Sequence, residues 1–108
     1  MNIIEKHIEQ LNAICEKYGV DKLFAFGSVV TERFDLDKSD LDFFVEMTAM
    51  PPLERGEKLM DLWTALEKLF GRKVDLLTDQ PIKNPYFKKS VEATKRLIYD
   101  RQGQEIPV

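Results

Sequence analysis

The sequence has very little soft or redox-active ligand chemistry. It contains one cysteine, Cys15, and one histidine, His7. One cysteine excludes an internal disulfide and a cysteine-based zinc cluster, and one histidine excludes a His-rich metal site. Any metal bound here must be held mostly by oxygen. No apolar run approaches the roughly 20 residues of a membrane span. The opening residues, Met1 to His7, bring in charge early and hold no apolar segment of signal-peptide length, so the cytoplasm is the expected compartment. There is no internal repeat and no low-complexity tract. The formal net charge of -3 gives no basic excess, which argues against a general nucleic-acid binder.

What is present suits a folded domain. The chain has 108 residues, of which 44% are hydrophobic, including seven Phe and one Trp. That length is one domain with enough apolar mass for a core. The charged residues, 32% of the total, have interspersed signs as on a solvated globular surface.

The pattern alternates between helical and strand spacing. Ile4, Ile8, Leu11, Ile14 and Cys15 recur at helical intervals, so a helix is expected from about Asn2 to Tyr18, ended by Gly19. His7 reads as a boundary residue within it. Val20 to Phe26 reads as a strand closed by Gly27-Ser28, with Ser28 placed to cap a short helix through Arg33. A glycine before a helix N-terminus lets backbone N–H groups approach a phosphate; a plain strand-to-helix turn has the same pattern. Leu53 to Phe70 reads as a long amphipathic helix on Leu59, Leu62, Trp63, Leu66, Leu69 and Phe70, with Trp63 placed in the core and Gly71 ending it. A third strand is expected over residues 72–78, a short helix over 86–93, a last strand over 95–99, and a frayed polar tail from Arg101.

The chemistry concentrates in acids. Asp40 and Asp42 open the strand from Leu41 to about Met47, and residues i and i+2 of a strand share a face. Two carboxylates side by side call for a cation between them. Mg²⁺, which takes oxygen ligands and keeps several waters, fits one or two carboxylates plus substrate phosphates. Asp35 and Asp37 form a second Asp-x-Asp but sit in a turn segment, where solvation explains them. Asp75 lies inside the apolar run Val74–Leu77; the sequence leaves open whether it joins the pair or sits on an exposed face. Lys83, Lys88, Lys89, Lys95, Arg96 and Arg101 outnumber the acids around them, which suits a solvated face or a phosphate contact.

Gly27-Ser28, then Asp40-Leu41-Asp42 on a strand, then Asp75 on a later strand, together resemble the DNA polymerase β-like nucleotidyltransferase superfamily. The nearest likeness is to its minimal nucleotidyltransferases, small prokaryotic proteins often paired with a HEPN-domain partner, and it covers nearly the whole chain. The resemblance implies an α/β fold with a mixed central sheet of about four strands and helices packed mainly on one face. It implies that Asp40, Asp42 and Asp75 hold Mg²⁺ and are the catalytic carboxylates, and that Gly27 and Ser28 contact the nucleotide phosphates. Where many relatives have an Ala-Arg-Gly-like run this chain has Val29-Val30-Thr31-Glu32-Arg33, so Arg33 is the cation left to meet the phosphates. The expected activity is transfer of AMP from ATP to a protein hydroxyl, a Tyr of a HEPN toxin, making this chain the antitoxin. A non-catalytic module that neutralises the partner by contact is the alternative, and a small-molecule transferase of the antibiotic-modifying type ranks below both. No second domain is seen to hold an acceptor, so the partner or a second copy is expected to complete the site.

Overall fold

The computed structural model describes residues 2–27, 40–78 and 85–102. Eight elements follow in order: α1 (Asn2–Lys6), α2 (Ile8–Lys17), β1 (Val20–Phe26), β2 (Leu41–Met47), α3 (Pro52–Phe70), β3 (Val74–Thr78), α4 (Pro85–Thr94) and β4 (Arg96–Asp100). The strands form one sheet in the order β3-β2-β1-β4. β1 runs antiparallel to both β2 and β4, while β2 and β3 are parallel. A parallel pair needs a crossover, and α3 supplies it.

The core follows from strand periodicity. Leu41, Phe43 and Val45 of β2 and Leu23 and Ala25 of β1 are fully buried on one face of the sheet. Against them pack Leu11 and Cys15 of α2 and Leu62, Leu66 and Phe70 of α3. The Phe43 and Phe70 rings lie 5.8 Å apart. Burial pushes the Cys15 thiol up to about 12 and keeps it protonated, so this cysteine is a small core hydrophobe. Helix α3 starts with Pro52 in its first turn, where a missing N–H costs nothing. It stops at Gly71, which takes the left-handed conformation (φ +62°) and donates its N–H to Glu67 O at 2.9 Å.

Three sequence expectations are corrected. The leading helix is broken in two at His7, whose Nδ1 donates to Ile3 O at 2.9 Å and whose ring meets the Phe70 ring edge-on at 5.3 Å. The histidine is structural, and its bond to the preceding turn accompanies the break. Trp63 is not in the core: it is 42% exposed, and its indole N–H donates to Val74 O at 2.6 Å. Its position on the helix lies toward the flank beside edge strand β3, and helical periodicity alone does not separate flank from core. Arg101, expected to fray, is held firmly. Its backbone N–H donates to Asp21 O (2.8 Å), its Nε to Val20 O (2.8 Å), and its guanidinium to Glu16 O (3.0 Å) and Cys15 O (3.4 Å). A cation on the last carbonyls of α2 complements the negative end of the helix dipole. Arg101→Ala is therefore expected to destabilise the fold by roughly 2 kcal/mol, the range for losing charge-assisted bonds to half-buried carbonyls. Chemical denaturation checks this; a midpoint unchanged from the parent would remove Arg101 from the account of stability.

Candidate active site

The pleat that buries Leu41 and Phe43 turns Asp42 and Phe44 to the opposite face. Register then decides what stands beside them. Asp42 pairs with Asp75 of β3 on one side and with Phe26 of β1 on the other. Paired residues of neighbouring strands share a face, so Asp42 and Asp75 are adjacent, and their carboxyls share a hydrogen bond. The Asp42 carboxyl is pushed up to about 6. Burial is the main cause, followed by the Asp75 hydrogen bond, the Asp75 charge and the Asp40 charge.

Gly27 closes this corner. It sits at the end of β1 in the left-handed conformation (φ +73°), and a Cβ built on it would come within 2.7 Å of Asp42 Oδ2. Only a residue without a side chain leaves room for the carboxylate there. The Gly27 N–H donates to Thr94 Oγ1 at 2.9 Å, tying the end of β1 to the end of α4. That N–H is thus engaged within the chain. Thr94 was not legible as a site residue; no pattern marks a threonine at the end of a short helix.

Asp40 precedes β2 and influences Asp42 through its charge. Its carboxylate is 3.9 Å from Lys73 Nζ, and both side chains are largely in water, so that pair adds little stability. The structure therefore brings Asp42 and Asp75 into contact and leaves Asp40 at the rim. Among the described residues no three carboxylate, imidazole or thiol groups form a ready cage for a metal. The donor set nevertheless fits a hard divalent cation: the groups that would hold it are all carboxylates, and two of them stand in contact on one face. A site of this kind suits Mg²⁺, which leaves much of its shell to water and phosphate. Ser28 and Arg33, the other two expected phosphate contacts, lie outside the described residues, as do Asp35, Asp37 and Lys83.

Beyond the carboxylates the same face is aromatic. Phe24 and Phe44 meet edge-to-face at 6.1 Å, and Lys95 Nζ lies 4.6 Å and 5.3 Å from their ring centres. The rings hold the ammonium by cation–π attraction within a few residues of Asp42. Lys88 and Lys89 on α4 are exposed.

A mixed sheet that holds paired acids on the face away from its helical core, beside a left-handed glycine at the end of the preceding strand, is the layout of a phosphate-handling enzyme of the nucleotidyltransferase kind. The comparisons agree. The profile of the family described as Nucleotidyltransferase domain matches residues 7–98, and the chain belongs to that family. A protein of Methanocaldococcus jannaschii inferred to be a protein adenylyltransferase is 40% identical over 98 residues, covering 91% of each chain. Among solved structures, one described as an inferred minimal nucleotidyltransferase superposes with a TM-score of 0.66 at 25% identity, over 86% of this chain and 90% of that one. A toxin–antitoxin structure with AMP-PNP superposes with a TM-score of 0.63 at 16% identity, over 88% of this chain and 74% of that one, and shares the fold. The fold expected from the sequence, a mixed four-stranded sheet with its helices packed mainly on one face, is the fold observed. No helix among the described residues is long and apolar enough to cross a membrane.

Proposed function

We propose that this nucleotidyltransferase transfers AMP from ATP to a hydroxyl of a partner protein, and that Asp42, Asp75 and Asp40 form its metal-binding and catalytic group. The observation that carries this is the in-register Asp42–Asp75 pair on the sheet face away from the α2–α3 core. The curated relative inferred to be a protein adenylyltransferase supports the choice of a protein acceptor. Asp42 and Asp75 would hold Mg²⁺, with Asp40 completing the set from the rim; the cation would neutralise charge on the attacking and leaving oxygens. The chain's own residues orient and move the proton. In the transfer, the acceptor oxygen bonds to the α-phosphorus, the bond to the bridging oxygen breaks, and pyrophosphate leaves. The acceptor proton passes to a carboxylate, for which Asp75 is placed. Gly27 keeps the Asp42 carboxylate in position, and Ser28 and Arg33 are the proposed phosphate contacts of the segment that follows.

Among the described residues this face offers candidate metal ligands but no walls around an acceptor. Positioning supplies about 7–11 kcal/mol of such a barrier, so the acceptor must be brought by a docked protein. A HEPN-domain toxin, modified on a Tyr, is the proposed partner, with this chain the cytoplasmic antitoxin. The likeness to a toxin–antitoxin fold supports that reading. The test is incubation with labelled ATP, Mg²⁺ and the product of the adjacent gene, followed by mass spectrometry. Label on a partner Tyr is expected. Neutralisation without label would favour the contact-only module, and robust labelling of small molecules by the protein alone would favour the antibiotic-modifying type.

A further inference from the structure

The face that carries Asp42 also holds a fixed cation. Strand alternation puts Phe44, two residues beyond Asp42, on that face, and Phe24 is its partner across β1 and β2. Both aromatic side chains are half-buried. Lys95 Nζ lies 4.6 Å from the Phe24 ring centre and 5.3 Å from that of Phe44.

The backbone that carries this lysine is pinned as well. Lys95 follows Thr94, whose hydroxyl oxygen accepts the Gly27 N–H at 2.9 Å. Its own N–H donates to Val91 O at 2.7 Å and closes α4. Lys95 therefore leaves the chain beside the Gly27 turn and ends over the face of Asp42.

A lysine over the face of paired acids would ordinarily swing to one of them. Among the described residues Lys95 forms no ion pair with a carboxylate. A ring face attracts the charge but offers no lone pair to its N–H groups. Lys95 is exposed, so its three ammonium donors stay available to water or to an anion. Two residues of strand span about 7 Å. A cation held by Asp42 and Asp75 would meet the α-phosphate, where the bond breaks, and the rest of a triphosphate extends past it over a comparable distance.

We infer that Lys95 binds the β- and γ-phosphates of the nucleotide and neutralises charge on the pyrophosphate that leaves. Phe24 and Phe44 are its positioning residues. The inference rests on the reading of Asp42 and Asp75 as the metal site, and it names the contact by which that site tells a nucleoside triphosphate from a monophosphate.

Calorimetric titration with ATP in excess Mg²⁺ tests it on the parent, Lys95→Gln and Lys95→Arg. Lys95→Gln should bind ATP about tenfold or more weakly, the loss of one charge-assisted phosphate contact. Lys95→Arg keeps the charge and the ring contact and should bind within about threefold of the parent. The rise in unfolding temperature with Mg²⁺ alone should be the same in all three proteins, because the lysine is not a metal ligand. Unchanged ATP affinity in Lys95→Gln overturns the inference and leaves the metal site standing, including the case in which a protein or an RNA is what needs this lysine. AMP binding weakened by the same factor as ATP overturns the assignment to the leaving phosphates. A parent protein that binds neither Mg²⁺ nor ATP overturns the reading of the site, and this inference with it.

Discussion

Asp42→Asn is expected to abolish transfer while making the metal-free protein more stable at neutral pH. The two effects have one origin. Asp42 stands against Asp75 and near Asp40 on a half-buried strand, and the folded protein holds its carboxyl up to about 6, against 3.8 ordinarily. The folded state therefore binds more protons than the unfolded state between about pH 4 and 6. Where that is so, stability falls as pH rises. The cost is absent below about pH 4, grows through the window, and is complete above about pH 6. After allowance for the water that still reaches the pair, it amounts to roughly 1–2 kcal/mol at pH 7. An amide in place of the charge removes most of it and flattens the curve. Activity goes the other way, because a lost metal ligand removes several kcal/mol of transition-state stabilisation, about three orders of magnitude or more in rate. Urea unfolding between pH 4 and 8, with a transfer assay on the same samples, measures both. A variant that is less stable than the parent at pH 7 would make Asp42 a structural residue.

Gly27→Ala is the second change with a large expected effect. Two costs coincide at one position. The left-handed conformation at φ +73° is strained for alanine by about 1–2 kcal/mol. The new methyl would also lie 2.7 Å from Asp42 Oδ2, which real contacts do not allow. Either the strand end moves, which strains the Gly27–Thr94 bond, or the Asp42 carboxylate swings away from Asp75. A displacement of about 1 Å in a reacting group lowers rates about 100-fold. The variant should therefore stay folded, lose roughly 2–3 kcal/mol of stability, and lose at least two orders of magnitude in transfer rate. Activity within threefold of the parent would show that the carboxylate has room to spare and that Gly27 does not set its position.

Most of the architecture was legible because two periods are strong in this sequence. Alternation in Leu41–Met47 and the apolar run Leu23–Phe26 closed by Gly27 located β2 and β1, and Gly71 marked the end of α3 because glycine alone takes its φ easily. The pairing of Asp42 with Asp75 was expected from the family resemblance and was not legible in the local pattern. It depends on β3 lying beside β2 in parallel register, and strand order is a property of the fold that no local pattern carries. The misplacement of Trp63 has a similar cause: a helix periodicity gives a face, and the boundary between buried stripe and exposed flank is drawn by the sheet edge. Arg101 and Thr94 escaped because their partners, Val20, Glu16 and Gly27, are distant in sequence. Chemistry-bearing acids could be picked out early because residue type and spacing suffice for them, whereas the residues that hold them in place are ordinary in composition and are identified only by contact.

The central claim is that the Asp42–Asp75 pair is a cation site built into the sheet face away from the α2–α3 core. The most direct test is the unfolding temperature at pH 7.5 across a Mg²⁺ titration, for the parent protein and for Asp42→Asn. Ligand bound only by the folded state stabilises by RT ln(1 + [L]/Kd), about 2.7 kcal/mol at 100 times Kd. The parent's unfolding temperature should climb with Mg²⁺ and plateau only slowly, while that of the variant, higher at the start, should stay flat. Equal responses in the two proteins, or none in the parent, would contradict the claim.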